Sequence, residues 1–213
     1  RFPTVPLAAD VHFDVNLALA SVDAGADKVR VNPGNIGGID NVLRVAEAAA
    51  GRGAAIRVGV NSGSLEKDLL RKYDGPTARA LVESALRTAS ALEAARFYAF
   101  VVSLKSSDVL TTIEAYTLAA ESTEAPLHLG VTAAGPPGSG SVRSAVALGA
   151  LLGRGIGDTF RVSLTGPAVE EVRVARIILE SLGLRPPSAK VVSCPTCGRT
   201  HGDLVAVAEE VER

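Results

Sequence analysis

A repeating unit is the feature that most constrains how this chain folds. Short apolar runs recur at residues 6–9, 28–32, 55–60, 97–104, 126–131 and 159–164. Each is followed by a turn and then a stretch with helical periodicity, and the runs start about 20–40 residues apart, the length a strand–helix–strand crossover takes. The helical stretches are clearest at 77–95 and 168–182. In the second, Val172, Ala175, Leu179 and Leu182 are expected to share one face, Glu170 and Glu171 occupy the first turn, and Gly183 supplies the stop. Six successive units of this kind favour a parallel sheet covered by helices, either a closed barrel or an open doubly wound sheet.

The polar residues decide between the two. Nearly every apolar run ends in one: Asp10 and His12, Arg30 and Asn32, Asn61, Lys105, Thr132, Ser163. A (β/α)8 barrel builds its site from the C-terminal ends of all its strands, whereas an open sheet concentrates ligands at one switch point. The expected fold is therefore an α/β, TIM-type (β/α)8 barrel with about six of its eight units present. The sequence lacks methionine and opens on Arg1-Phe2-Pro3, so the two remaining units are expected outside it. After Gly183 the composition changes. Residues 1–183 read as the barrel part, 184–188 as a Pro-rich linker, and 189–213 as the start of a small α+β domain. That last segment has a short strand at 190–193, a Cys194-Pro195-Thr196-Cys197 knuckle and an amphipathic helix at 204–212.

Composition excludes several classes. Lys and Arg number 22 against 23 Asp and Glu, a net charge of −1, which gives no electrostatic case for nucleic acid or an anionic membrane surface. With 47% hydrophobic and 21% charged residues the chain is globular, not disordered. No apolar run approaches the ~20 residues that cross a bilayer, and no leader-type segment opens the sequence, so a cytoplasmic location is expected. The two cysteines, separated by two residues, suggest a metal or redox pair in a reducing compartment.

Four basic residues, Arg30, Arg57, Lys105 and Arg161, stand at or next to strand ends. A buried cation costs several kcal/mol unless paired, so four converging on one barrel mouth call for an anionic ligand, and phosphate or diphosphate suits both the Arg fork and the Lys point charge. Pairing with Asp10 and Glu66 is the alternative. Asn32 and Asn61 follow strands directly and are better ligand candidates than Asn35, although Asn also simply forms turns. His12 lies two residues beyond Asp10, where the carboxylate can orient the imidazole. The loop Gly135-Pro136-Pro137-Gly138-Ser139-Gly140-Ser141, before a helix expected near Val142, offers backbone N–H groups but matches no phosphate-loop spacing. Cys194 and Cys197 have metal-chelating spacing; His201 is a conceivable third zinc ligand and Asp203 a poor fourth.

Several segments closely resemble one family. They are Ala9-Asp10-Val11-His12-Phe13-Asp14, Val29-Arg30-Val31-Asn32-Pro33-Gly34-Asn35-Ile36-Gly37, Asn61-Ser62-Gly63-Ser64-Leu65-Glu66 and Ser103-Leu104-Lys105-Ser106-Ser107-Asp108. Leu127-His128-Leu129-Gly130-Val131-Thr132, Gly155-Ile156-Gly157-Asp158-Thr159 and the Cys194–Cys197 knuckle complete the set. Together, in this order, they resemble the 4-hydroxy-3-methylbut-2-enyl diphosphate synthases, iron–sulfur enzymes of non-mevalonate isoprenoid biosynthesis. The resemblance implies a barrel followed by an iron–sulfur domain, in a homodimer. It implies reductive ring opening and dehydration of 2-C-methyl-D-erythritol 2,4-cyclodiphosphate by an oxidoreductase with a 4Fe-4S cluster fed by ferredoxin or flavodoxin. It also implies that His12, Arg30, Asn32, Arg57, Asn61, Lys105, Thr132, Arg161 and Ser163 bind the substrate. Cys194 and Cys197 would be cluster ligands, with a further cysteine and a glutamate beyond Arg213. The family usually reads Thr-Glu-Ala-Gly where this chain reads Thr132-Ala133-Ala134-Gly135, so no catalytic residue is assigned. The alternatives are a cluster-free barrel enzyme acting on a phosphorylated small molecule and an inactive truncated homologue.

Overall fold

The computed structural model describes residues 5–186, 191–194 and 197–212. Six parallel strands are laid down in chain order: β1 (Ala8–Asp10), β2 (Lys28–Val31), β3 (Ala55–Asn61), β4 (Phe100–Lys105), β5 (His128–Leu129) and β6 (Thr159–Phe160). The first four form one sheet in the order β1-β2-β3-β4, β5 pairs with β6, and a parallel bridge from Val102 to Leu127 joins the two sets. Sequential parallel order without a switch point is the order of a barrel wall. Among the described residues β1 and β6 do not pair with each other.

The helices cover one face. They are α1 (Val15–Asp23), α2 (Ile39–Arg52), α3 (Lys67–Lys72), α4 (Ala78–Ala94), α5 (Val109–Ala120), α6 (Pro137–Leu152), α7 (Ala168–Ser181) and, after the barrel part, α8 (Leu204–Glu212). Side-chain caps start several of them, satisfying N–H groups that the first turn leaves without partners. Asp14 accepts from the Asn16 N–H at 2.8 Å, Thr77 from Ala80 at 3.3 Å and Asp108 from Thr111 at 2.7 Å. α6 starts at Pro137 rather than near Val142, because Pro at the first position is pre-set for a helix and its missing N–H costs nothing there. The buried side of α7 carries Ile178 with Val174, Ala175 and Leu182 packed behind it, and Val172 is exposed. The buried face thus keeps Ala175 and Leu182 of the expected set but takes Val174 and Ile178 and leaves Val172 out.

What positions the site is an alternation along the strands. In β2, Val29 and Val31 are fully buried against the helices while Arg30 points to the other face; in β3, Ile56, Val58 and Val60 alternate with Arg57, Gly59 and Asn61. β4 repeats this with Val102 and Leu104 against Ser103 and Lys105. The apolar set meets Val45 and Ala49 of α2, Leu81 and Leu92 of α4, and Leu148 and Leu151 of α6 in one core, each fully buried Val or Leu contributing about 1.5–3 kcal/mol. The other face is polar. Barrel interiors are usually filled with branched apolar residues, and here the corresponding positions carry charge.

β5 and β6 are shorter than the runs 126–131 and 159–164 suggest, and for β5 the cause is visible. The Tyr116 hydroxyl of α5 sits between β4 and β5, accepting from the Leu104 N–H at 3.0 Å and donating to the His128 carbonyl at 2.6 Å. It takes the place of a direct ladder bond, so regular pairing stops. Pairing of these two segments resumes beyond it, where the Thr132 N–H donates to the Ser106 carbonyl at 3.0 Å. The strand expected at 190–193 is not formed over Val191–Ser193, and Lys190 lies outside the described residues. No helix among the described residues is long and apolar enough to cross a membrane.

Candidate active site

Registration of the strands brings the first charges to one level. Asp10 pairs across the sheet with Arg30, and Arg30 with Arg57. Period two then aims all three side chains to the same face. The Asp10 carboxylate accepts from Arg30 Nη1 at 3.1 Å and lies 3.7 Å from Arg57 Nη2 and 3.6 Å from His12 Nε2. The guanidiniums are the buried members: their side chains are 5% and 13% exposed, against 53% for Asp10. Asp10 therefore faces the open mouth, and two cations below it share one carboxylate.

Arg30 is held from several sides. Its Nη2 donates to the Gly59 carbonyl at 3.1 Å and, with the Asn61 amide turned so that both its ends are satisfied, to the Asn61 oxygen at 3.0 Å. Glycine at position 59 makes room for this guanidinium: a β-carbon there would stand 2.2 Å from Arg30 Nε and push it aside. His12 lies over the same guanidinium at the exposed rim, its Nδ1 and Nε2 at 3.1 and 3.2 Å from Arg30 Nη1.

Deeper in, Arg57 Nη1 meets His128 Nε2 at 3.2 Å, and His128 Nδ1 lies 2.9 Å from Thr159 Oγ1. Lys105, the last residue of β4, is buried beside them. Burial and the neighbouring Arg161, Arg57 and Arg30 cations pull its pKa down to about 6. Burial lowers Arg57 and Arg161 as well, opposed by the Asp10 carboxylate for Arg57 and chiefly by Glu171 for Arg161. His128 is driven to about 2, first by burial and then by Lys105 and Arg57. Gly130 keeps this floor open, since a β-carbon there would stand 2.7 Å from the Arg161 carbonyl oxygen and 3.4 Å from Lys105 Cε.

Four cations, Arg30, Arg57, Lys105 and Arg161, thus share one region with Asp10 and, on the α7 side, Glu171. Arg57 is not at a strand end as expected: it is the third residue of β3, so it lies below the mouth rather than at it. Glu66 does not pair with the cations; it accepts from Ser84 of α4 at 3.0 Å. Asn32 ties two loops together, donating to Ser64 Oγ at 2.6 Å and accepting from the Gly34 N–H at 3.0 Å. Thr132 and Ser163 sit half-buried three residues past β5 and β6. Ala133, at φ 50°, is exposed beside Thr132, and its methyl group has no proton to give or take. His128, Thr159, Tyr116 and Gly59 have roles here that the sequence by itself does not mark. A histidine inside an apolar run, at the alternate position, was the available signal.

Cys194 and Cys197 are both exposed. Hydrogen bonds from Arg199 and from the Thr200 side chain hold the Cys197 thiol below the ordinary range, which favours the thiolate a metal requires. Among the described residues no group of three or more His, Cys, Asp or Glu side chains converges to hold a metal. His201 and Asp203 therefore do not complete a zinc site there. The donor set fits half of a four-ligand thiolate-type site.

Residues 2–176 match the family model of the GcpE TIM-barrel domain. The chain belongs to the GcpE family. This GcpE chain is 56% identical over 209 residues to a protein of Caldanaerobacter subterraneus subsp. tengcongensis, covering 98% of this chain and 59% of that one. It is 52% identical over 208 residues to one of Listeria monocytogenes serotype 4b, covering 98% and 56%. Both relatives bear the name 4-hydroxy-3-methylbut-2-en-1-yl diphosphate synthase (flavodoxin). The GcpE chain spans a little over half the length of the curated relatives it matches. Among solved structures, the HMG-CoA lyase of Brucella melitensis superposes with a TM-score of 0.57 at 19% identity, over 86% of this chain and 68% of that one. A type I 3-dehydroquinate dehydratase of Clostridium difficile gives 0.53 at 14%, over 83% and 70%. At that identity these two carry the barrel fold alone.

Proposed function

We propose that this chain is the substrate-binding barrel of a 4-hydroxy-3-methylbut-2-enyl diphosphate synthase, acting in isoprenoid biosynthesis. The observation that carries the reading is the excess of buried cations over carboxylates at one end of the sheet. Buried positive charge without matching negative charge is costly, and a cyclic diphosphate supplies what is missing. Arg30 and Arg57 offer planar forks for the phosphoryl oxygens and Lys105 a point charge. His12, Asn32, Asn61, Thr132, Arg161 and Ser163 line the approach, and Asn32 acts by fixing the loops.

The substrate is 2-C-methyl-D-erythritol 2,4-cyclodiphosphate. Two electrons and one proton enter, the ring carbon–oxygen bond to phosphate breaks with the phosphate leaving as an anion, and the hydroxyl takes up the proton and leaves as water. A 4Fe-4S cluster held in part by Cys194 and Cys197 would supply the electrons, from flavodoxin or ferredoxin. The chain's own residues bind the diphosphate, orient it and draw off the negative charge that develops on the leaving phosphate. In this reading residues 1–183 form the barrel part, 184–188 the linker and 189–213 the start of the iron–sulfur domain, in a cytoplasmic homodimer.

Two measurements on the full-length protein test the reading. The apoprotein should bind inorganic pyrophosphate by titration calorimetry, and no detectable binding would reject the anion site. After anaerobic reconstitution, Cys194→Ser should lose most of the absorbance near ~400 nm that marks a cluster; full retention of iron would remove Cys194 from the ligand set.

A further inference from the structure

Arg57 has an unusual set of partners for a buried cation. Its Nη1 meets a histidine at 3.2 Å, its Nη2 stands 3.7 Å from a carboxylate already engaged by Arg30, and its Nε is buried without a hydrogen-bond partner. The partner at closest range is therefore His128.

His128 is pinned at both its ring and its backbone. Arginine can only donate, so Nε2 must accept, and the ring proton is left on Nδ1, where it is donated to Thr159 Oγ1 at 2.9 Å. Thr159 is the register partner of His128 in the adjoining strand. The His128 carbonyl accepts from the buried Tyr116 hydroxyl, which is itself fixed by the Leu104 N–H. One tautomer and one ring orientation follow. Burial and the surrounding cations keep the ring unprotonated far below its ordinary range, so it stays an acceptor at any physiological pH.

Glutamate would hold a guanidinium more strongly than imidazole does. It would also cancel the charge that an incoming anion must meet. We propose that His128 is an uncharged positioning residue for Arg57: it aims the guanidinium through Nε2, in the tautomer that Thr159 fixes, and leaves its full positive charge for the diphosphate. This rests on the diphosphate reading above and adds a residue to it. His128 does not touch the substrate; it acts through Arg57.

The test compares two substitutions of nearly equal size in the full-length protein, read by pyrophosphate calorimetry with melting temperature as a control. His128→Gln keeps a neutral acceptor and should bind pyrophosphate within about threefold of the parent, a small change because the hydrogen bond to Arg57 survives. His128→Glu keeps the acceptor but adds a charge, and should bind about ten- to a hundredfold more weakly, with a melting temperature no lower than that of the Gln variant. Equal affinities in the Gln and Glu variants would overturn the inference, as would a Gln variant that loses as much as Glu. Thr159→Val should weaken binding severalfold and Thr159→Ser restore it. An unaffected Val variant would refute the part assigned to Thr159, and this pair carries the test if the Glu variant does not fold. Failure of the parent protein to bind pyrophosphate would instead reject the underlying reading.

Discussion

The chain carries two dense groups of charge, and they are built in opposite ways. On the outer surface, between α3 and α4, Glu83 accepts from Lys72 at 2.6 Å, from the Tyr73 hydroxyl at 2.5 Å and from Arg87 at 2.7 Å, and Arg87 also reaches Asp68 at 2.6 Å. Two acids meet two bases in water, and the Glu83 carboxyl is drawn down to about 2 by its hydrogen bonds, that from Lys72 first. Inside the barrel, Arg30, Arg57, Lys105 and Arg161 are buried or half-buried beside Asp10, and burial lowers the pKa of Arg57, Lys105 and Arg161, which disfavours their charged forms where the surface bonds favour that of Glu83. The surface network is matched and complete as it stands. The inner one holds more cations than carboxylates among the described residues, and that imbalance, absent from the solvated surface network, is what the proposed anion site rests on.

The largest effect expected from breaking this contrast is at Arg30. Arg30→Ala should weaken pyrophosphate binding by about a hundredfold, the upper end for a charge-assisted contact, because it also releases Asp10 and Asn61. An unchanged dissociation constant would remove Arg30 from the site. Lys105→Met comes next and acts in two directions. Replacing the desolvated Lys105 amine, crowded by neighbouring cations, with an apolar side chain of similar length should stabilise the ligand-free protein by roughly 1–4 kcal/mol. It should weaken anion binding by only about tenfold, since Lys105, at a pKa near 6, is mostly neutral before the anion arrives. A variant that melts below the parent would show that the lysine is already paired.

The pH dependence of stability follows from two depressed groups, Lys105 and His128. Lys105, at about 6 when folded, binds fewer protons than the unfolded chain up to its ordinary 10.5, and His128, at about 2, binds fewer up to 6.5. Where the unfolded state holds more protons, stability rises with pH. The ligand-free protein should therefore lose stability as pH falls through 6.5, and should gain it as pH rises from about 6 towards 10.5. Melting curves from pH 5 to 9 check this; Lys105→Met should flatten the upper window and His128→Gln the lower. The smallest effect is on the outer surface. Glu83→Gln should leave pyrophosphate affinity unchanged and cause a slight fall in melting temperature that disappears in high salt. A fall that persists in high salt would mean the exposed network does more than exchange one set of water contacts for another.

Much of the barrel was legible in the residues. Runs such as Ala55–Asn61 announce strands by their β-branched content, and α4 announces itself by Thr77 at the cap and by small and apolar residues at helical spacing. The cations Arg30, Lys105 and Arg161 were legible too, because charge inside or beside an apolar run has few structural explanations. Arg57 was found but misplaced: a run of apolar residues marks a strand without marking its faces unless the alternation is counted, and only the register with Arg30 sets its depth. His128 was passed over because its significance lies in Arg57, which is 71 residues away in the chain. Tyr116 was invisible for the same reason. Its hydroxyl interrupts a strand ladder that is formed by other segments.

By itself the sequence determined the order of strands and helices, the family, and the list of cations, since these depend on local periodicity and on residue type. The tertiary structure alone decided which charges face one another. Asp10 is shared by Arg30 and Arg57, Glu66 turns away to Ser84, Asn32 is committed to its loops, and His128 accepts from Arg57 in a tautomer that Thr159 fixes. Partnership between groups tens of residues apart is set by strand register and by the face each side chain takes, and a shift of one residue in register would reverse every face.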